Sequence, residues 1–221
     1  MSAVIEIFNI VVFTAFGAPV TLLELFGFIT GGLCVWAVAK QYKWNWYVGA
    51  ANAAAFIFLF LGVGLYADAF LQVVFLVMSF YGIYSWTFGG KGTAKNALPV
   101  RRVVPRELFI LIPLTIAATV GVAHLLRAET DSNVYWFDGA VLTLSILATY
   151  GQTKKIVESW YVWIVVDLIS IPLYFYKGLT LTALLYGVFL TLCFIGLVKW
   201  RSELTPKKTI TDTTRIAEVA A

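Results

Sequence analysis

Seven stretches of mainly apolar residues, each close to 20 residues long, occupy most of this 221-residue chain. They run over 20–39, 46–66, 67–88, 107–126, 134–153, 160–176 and 178–200. A helix needs about 20 apolar residues to cross the hydrocarbon core of a bilayer. Charged residues make up only 13% of the chain, about half the fraction typical of soluble domains. Because backbone polar groups must be paired inside lipid, we predict an all-α polytopic membrane protein with seven transmembrane helices.

The basic residues predict how these spans are oriented. All of the 16 lysines and arginines except Arg127 and Lys177 fall in the loops, span ends or C-terminal tail on one side of a seven-span chain. The positive-inside rule identifies that side as the cytoplasm. We therefore expect a plasma-membrane protein with its N-terminus outside and its C-terminus in the cytoplasm. The net charge of +4 reflects this loop bias and gives no indication of a nucleic-acid partner.

Three segments lie outside the spans. Residues 1–19 include an apolar stretch from Ile5 to Phe16 that is too short to span and lacks a basic start, so we expect an N-terminal interfacial helix rather than a cleaved signal peptide. Residues 89–106 form a basic cytoplasmic loop, and residues 201–221 form a polar cytoplasmic tail. Cys34 and Cys193 lie in apolar stretches without metal-ligand spacing, and we interpret both as packing residues.

The chain also contains an internal repeat. A shift of 114 residues aligns 23–86 with 137–200 without a gap, and 17 of the 64 positions are identical, including Trp46 with Trp160 and Trp86 with Trp200. Each copy has three spans, so the copies share one orientation only if a single span separates them. We predict a 3-1-3 arrangement, with three-helix repeats at 20–88 and 134–200 and a linker helix at 107–126. Parallel repeats occur in small transporters of the SWEET type, which bind solute at the repeat interface.

One face of the sixth span is the strongest candidate for a binding site. Trp160, Trp163 and Asp167 lie within about 60° of one another on a helix. A carboxylate inside the hydrocarbon costs at least about 2.5 kcal/mol, which favours a cavity or a partner for Asp167. Indole faces attract cations and the carboxylate supplies the opposite charge, so the pattern predicts binding of a flat, preferably cationic ring. An aromatic belt and a structural hydrogen bond are the alternatives.

Further candidates lie on the inner faces of both repeats or near span ends. The additional substrate-binding residues are Asn52, Trp46, Gln72, Phe75, Tyr186 and Phe189, and the gate candidates are Glu24, Asp138 and Pro172. Helix packing is the alternative for the aromatic residues. Stabilisation of a helix dipole is the alternative for the two carboxylates, and the proline predicts a kink.

Several motifs resemble those of the PnuC family of bacterial vitamin transporters. They are Trp160-x-x-Trp163-x-x-x-Asp167, Trp46-x-x-Gly49-x-x-Asn52, Tyr81-Gly82-x-x-Trp86 and Glu24-x-x-Gly27. The resemblance covers about 20–200. It implies a SWEET-like fold in the bacterial inner membrane that carries nicotinamide riboside by facilitated diffusion, with a separate cytoplasmic kinase that traps the solute for NAD biosynthesis. It also implies solute contacts from Trp160, Trp163 and Asp167, with Gln72 and Asn52 opposite.

Other solutes and other classes of protein are weaker alternatives. The resemblance also implies thiamine or riboflavin as alternative solutes on the same fold. A carboxylate beside tryptophans favours a cation, and nicotinamide riboside and thiamine are cationic whereas riboflavin is neutral, so nicotinamide riboside ranks first. An enzyme is not expected, since the sequence has no Ser-His-Asp set, no HExxH motif and no phosphate-binding loop. A seven-helix receptor is less well supported. The expected partners are the small-molecule solute and the lipid bilayer, a homo-oligomer is compatible with the sequence, and no cofactor, metal or nucleic acid is expected.

Overall fold

The computed structural model of the protein describes residues 10–15, 17–62, 66–90, 98–129, 133–176 and 180–204. The elements are β1 Val11–Ala15, β2 Ala18–Thr21, α1 Leu22–Ala39, α2 Asn45–Gly62, α3 Tyr66–Phe88, α4 Pro105–Glu129, α5 Tyr135–Thr153, α6 Ser159–Tyr176 and α7 Thr180–Leu204. Each helix overlaps one of the seven apolar stretches. The predicted helical class is confirmed, and the described residues contain seven long helices.

Four of the described helices are long and apolar enough to cross a membrane. They are the Ala69–Phe88 part of α3 and the whole of α4, α6 and α7. By contrast, α5 carries several hydroxyl groups, and these bond to its own backbone: Thr143 donates to the Gly139 carbonyl and Ser145 to the Val141 carbonyl. Such bonds to the preceding turn satisfy the hydroxyls within the helix.

The N-terminal region differs from the prediction. Val11–Ala15 is a strand that pairs antiparallel with Ala18–Thr21, and Gly17 in the turn has a φ of +81°. The expected interfacial helix over 5–16 is therefore wrong for Val11–Ala15, while residues 1–9 and Phe16 lie outside the described residues. The strand contains two valines and a threonine. These β-branched residues favour extended backbone over helix.

The helices pack in pairs that follow the internal repeat. Helix α2 packs against α3, and α6 against α7; likewise α1 packs against α7, and α3 against α5. Helices α1, α2 and α3 correspond to α5, α6 and α7 in the 114-residue register. The α2–α3 contact is therefore equivalent to the α6–α7 contact, and the α1–α7 contact is equivalent to the α3–α5 contact. Helix α4 packs against α5.

The repeat extends to the backbone hydrogen bonds of two turns. The Gln41 amide donates to the Val38 carbonyl and the Tyr42 amide to Ala37, and the same bonds join Lys155 to Gln152 and Ile156 to Gly151. Gln41 and Lys155 both have left-handed backbone, with φ of 59° and 50°. This is the bonding pattern of a Schellman helix end. It lets α1 and α5 end in the same way without a glycine.

Four buried tryptophans form a cluster at the end of the bundle where these turns lie. Trp46 meets Trp86 edge to face at 5.5 Å, Trp160 meets Trp200 in the same way at 5.4 Å, and the Trp86 and Trp200 rings are 6.2 Å apart. Gly82 and Gly196 lie against the Trp46 and Trp160 rings, where a Cβ atom would overlap the indole. We call Trp46, Trp86, Trp160 and Trp200 the tryptophan cluster; it joins α3 to α7.

The segment before α4 crosses the turn between α5 and α6. The Arg101 amide donates to the Lys155 carbonyl and the Val157 amide donates to the Arg101 carbonyl, both over 3.0 Å. The Arg101 guanidinium forms a bidentate pair with Glu107, and the Glu158 carboxylate accepts from the Val103 amide. The described part of the predicted basic loop is therefore fixed to the second repeat. Residues 91–97 lie outside the described residues.

Candidate functional site

The inner face of α6 carries four polar or aromatic residues in a row. Trp160, Trp163, Asp167 and Ser170 lie within about 80° of one another at 100° per residue. Trp160 and Ser170 are fully buried and Asp167 is 1% exposed. Trp163 is partly buried and packs against the core that contains the tryptophan cluster. The structure thus brings the three predicted α6 residues together on one buried face.

Some polar atoms on this face lack a hydrogen-bond partner. The indole Nε1 atoms of Trp160 and Trp163 are buried, and neither bonds to any of the described residues. Leaving a buried donor or acceptor unpaired costs about 1–3 kcal/mol. Buried polar groups are otherwise paired in folded proteins. This face is therefore suited to a ligand that brings its own hydrogen-bonding groups.

Asp167 adds a carboxylate to the same face. Its Oδ2 atom accepts a hydrogen bond from the Cys193 thiol of α7 at 3.4 Å. The ion pair found within the described residues joins Arg101 to Glu107, and no described lysine or arginine pairs with Asp167. A carboxylate inside an apolar helix bundle marks a path or a binding position by default. A cationic group would neutralise it most directly.

Helix α7 supplies the wall that faces Asp167. Tyr186, Phe189 and Cys193 are spaced by three and four residues, so they share one face of α7, and the thiol contact fixes that face towards α6. The Tyr186 ring lies 5.5 Å from Phe189 and 5.0 Å from Tyr174 of α6. The Phe189 ring packs on Gly31 of α1, where a Cβ atom would be 3.1 Å from it. The predicted residue Phe189 therefore lies at the contact between the repeats, whereas the ring contacts of Tyr186 are within the second repeat.

Of the candidates from the first repeat, Asn52, Gln72 and Phe75 are not joined to this face by any contact among the described residues. Asn52 donates to the Thr30 hydroxyl at 2.7 Å and so ties α2 to α1. Gln72 and Phe75 are partly buried on α3, and no hydrogen bond or ring contact among the described residues links them to Asp167. Trp46 belongs to the tryptophan cluster.

The gate candidates lie at three helix positions. Glu24 and Asp138 occupy the first turns of α1 and α5; the Glu24 side chain lies outside the described part of the chain. Pro172 is inside α6, five residues after Asp167.

Two residues of the site were not among the sequence candidates. The sequence predicts a packing role for Cys193, whereas in the structure its thiol donates a hydrogen bond to Asp167. The internal repeat could have indicated this role, because the residue that matches Cys193 in the first repeat is Ser79, whose side chain is also a hydrogen-bond donor. Ser170 follows Asp167 by three residues on the same helical face, so periodicity alone would have found it.

Known proteins with similar sequences are transporters. A riboflavin/roseoflavin transporter, RibM of Streptomyces davaonensis, is 28% identical over 85% of this chain and 88% of its own length. The nicotinamide riboside transporter PnuC of Escherichia coli is 25% identical over 87% of this chain and 91% of its own.

A solved structure shares the fold. The crystal structure of the vitamin B3 transporter PnuC superposes with a TM-score of 0.60 at 22% identity, covering 80% of this chain and 79% of the other. The family model described as nicotinamide mononucleotide transporter matches residues 21–202, which contain every described helix except the last two residues of α7. The resemblance found in the sequence is thereby confirmed: the chain belongs to the nicotinamide mononucleotide transporter family and is a membrane transporter rather than an enzyme.

Proposed function

We propose that the protein carries nicotinamide riboside across the bacterial inner membrane by facilitated diffusion, with the solute bound beside Asp167 between α6 and α7. The observation that carries this proposal is a buried carboxylate without a basic partner among the described residues, on a face that also has unpaired indole groups. The pyridinium ring of the solute is cationic and flat, and its ribose and amide offer hydrogen-bonding groups. The chemistry of the site and of the solute therefore match.

Each side chain has a distinct role in this proposal. Asp167 supplies the opposite charge, Trp163 stacks on the ring and donates from Nε1, and Tyr186 and Phe189 close the α7 side. Trp160 is fully buried against Gly196 and Trp200, so we assign it and its repeat mate Trp46 to the floor of the site. The remaining contacts, from Asn52, Gln72 and Phe75, would come from the first repeat as it moves towards α6.

The proposed transport cycle uses the two repeats as the moving parts. The repeat-related contacts α1–α7 and α3–α5 support a SWEET-like 3-1-3 arrangement in which 20–88 and 134–200 rock against each other and α4 links them. Glu24 and Asp138 would line the outer entrance, and Pro172 would let α6 bend beyond the site. Transport then runs down the gradient, and a separate cytoplasmic kinase keeps the gradient inward. The N-terminus lies outside and the C-terminus in the cytoplasm.

Riboflavin is the second candidate solute. The riboflavin/roseoflavin transporter of Streptomyces davaonensis has the higher identity of the two relatives compared above. Trp163, Tyr186 and Phe189 would hold a neutral isoalloxazine by stacking, which is worth about 0.5–1.5 kcal/mol per ring pair beyond burial. Stacking of this kind does not require a carboxylate, so the contribution of Asp167 separates the two solutes. Thiamine, which is cationic, behaves like nicotinamide riboside in this respect.

Titration calorimetry of the purified protein with nicotinamide riboside, thiamine and riboflavin tests the proposal. We expect nicotinamide riboside to bind most tightly and Asp167→Asn to weaken it about tenfold or more, since a charged hydrogen bond contributes about 1.5–3 kcal/mol. Glu158→Gln is the matched control, because it also removes one carboxylate next to α6 but lies outside the site. Binding of riboflavin alone, unaffected by Asp167→Asn, would move the assignment to the second candidate. Failure of all three solutes to bind would refute a vitamin site here.

A further inference from the structure

Gln41 and Lys155 occupy matching positions of the two repeats and bond to each other. They are separated by 114 residues, which is the repeat offset, and the Lys155 ammonium donates to the Gln41 side-chain oxygen at 2.7 Å. Each follows the last turn of an equivalent helix, α1 or α5, in left-handed backbone. Two repeat-related side chains can touch only where the repeats face each other. The bond therefore lies on the axis that relates the two repeats.

A third residue extends this link to α7. The Gln41 amide group donates to the Glu203 carboxylate at 2.6 Å. Lys155 is only 7% exposed, and its ammonium lies 4.6 Å from the centre of the Trp86 ring, a cation–π contact. Gln41, Lys155 and Glu203 thus form a polar chain between the repeats. We call these three residues the inner clasp.

The inner clasp contacts the tryptophan cluster through Lys155 and Trp86, and the cluster in turn separates the clasp from Asp167. Trp86 touches both the clasp and Trp200. Asp167 lies seven residues beyond Trp160 along α6, or about 10 Å at 1.5 Å per residue. A solute beside Asp167 would have to pass the tryptophan cluster and then the clasp to leave at this end of the bundle. This end carries Lys40, Lys43, Lys154 and Arg201 and is the predicted cytoplasmic end.

We propose that Gln41, Lys155 and Glu203 form the inner gate of the transport path, which opens when the Lys155–Gln41 bond between the repeats breaks. The proposal rests on the proposed position of the solute at Asp167 and adds the residues that control its exit. Gln41 of the first repeat accepts from Lys155 and donates to Glu203, both of the second repeat, and these two bonds hold the closed state. Because Gln41 alone supplies the first repeat's side of both bonds, a small rotation of the repeats that withdraws its side chain would break the link.

The chain has a natural reporter for this gate. Cys193 is buried at Asp167, behind the tryptophan cluster, and the other cysteine is Cys34. Replacing Cys34 by Ala, the residue at its repeat position 148, leaves one thiol. The rate at which a membrane-impermeant maleimide labels Cys193 from the cytoplasmic face of inside-out vesicles then measures how often the inner end opens. This readout needs no solute.

Gln41→Ala and Lys155→Gln, each in the Cys34→Ala protein, should raise the labelling rate of Cys193 about fivefold, the equilibrium factor expected for loss of a typical hydrogen bond. Lys154→Gln is the matched control. This variant removes the same charge from the preceding residue, whose ammonium lies over the Tyr81 ring and is not part of the inner clasp. The labelling rate should therefore stay within about twofold of the parent. Helix content, thermal melting and solute affinity near the parent values would show that the variants are folded.

Equal labelling rates in Gln41→Ala, Lys155→Gln and Lys154→Gln would overturn the gate. Faster labelling in right-side-out vesicles instead of inside-out vesicles would also overturn it, because the clasp would then close the outer end. A failure of nicotinamide riboside to bind Asp167 would leave these labelling differences in place. The labelling experiment therefore tests the gate, and the binding experiment tests the solute assignment, independently of each other.

Discussion

The thiol of Cys193 holds the carboxylate on which the proposed solute site depends. Among the described residues, this thiol is the hydrogen-bond donor to Asp167. The internal repeat places a serine, Ser79, at the equivalent position of α3. A hydroxyl can therefore replace the thiol at this position of the fold, whereas a methyl group cannot donate. The residue positions Asp167 and does not itself need to touch the solute.

Cys193→Ala should weaken binding of the cationic solute about fivefold, and Cys193→Ser should keep it within about twofold, because a net hydrogen bond is worth about 0.5–1.5 kcal/mol. Titration calorimetry at pH 7 measures both. Cys34→Ala is the control, since the Cys34 thiol lies 3.8 Å from the Asn45 carbonyl and makes no contact with Asp167. Similar losses in the Ala and Ser variants would mean that Cys193 contributes volume rather than a donor.

Lys155 predicts a pH dependence of stability. Burial lowers the pKa of its ammonium from 10.5 to about 8, with repulsion from Lys43 adding to the shift and attraction to Glu203 opposing it. Below pH 8 both the folded and the unfolded chain hold this proton, so the folded protein bears the cost of burying the charge. Between pH 8 and 10.5 only the unfolded chain still holds it, and the free energy of unfolding contributed by this group rises.

Raising the pH from 7 to 10 should therefore stabilise the native protein relative to Lys155→Gln. Thermal melting of the two proteins in the same detergent measures the difference. Lys154→Gln corrects for the loss of one positive charge from this turn. If the native and Lys155→Gln melting temperatures run parallel across this pH range, the buried ammonium does not lose its proton there.

At the scale of the helix, glycine decides where α7 can approach α6. Gly196 lies against the Trp160 ring, whereas a Cβ atom at Gly187 of the same helix would meet nothing within 4 Å. The apolar periodicity of the sequence predicts that both helices exist. It does not predict which glycine is required, because that depends on the side chain opposite.

Gly196→Ala should lower the free energy of unfolding by about 1–3 kcal/mol, the usual cost of overpacking a core. Gly187→Ala should be neutral or should stabilise α7 by up to about 1 kcal/mol, because alanine has the higher helix propensity. Urea or thermal unfolding in detergent compares the two variants within one helix. Equal stabilities would show that the Trp160 ring moves aside at little cost.

For the molecule as a whole, the sequence predicted the features that depend on length, period and repetition. Seven helices follow from seven apolar stretches, and Trp160, Trp163 and Asp167 meet on one face because their spacing matches the helical turn. The bond between Lys155 and Gln41 was not predictable, since it depends on how two turns 114 residues apart come together. Val11–Ala15 was missed because a short apolar stretch fits a strand or a helix equally well.

Orientation is a further property of the whole molecule, and we predict it from charge and helix count together. Seven spans with an outside N-terminus put the turns after α1, α3 and α5 and the end of α7 in the cytoplasm, where the basic residues concentrate. A fluorescent protein fused after Ala221 should therefore fold and fluoresce in a bacterial cell, and alkaline phosphatase fused there should be inactive. Phosphatase fused after Asp131, between α4 and α5, should be active. Activity of both phosphatase fusions would place the C-terminus outside, and the inner clasp would then face the wrong compartment to serve as the exit gate.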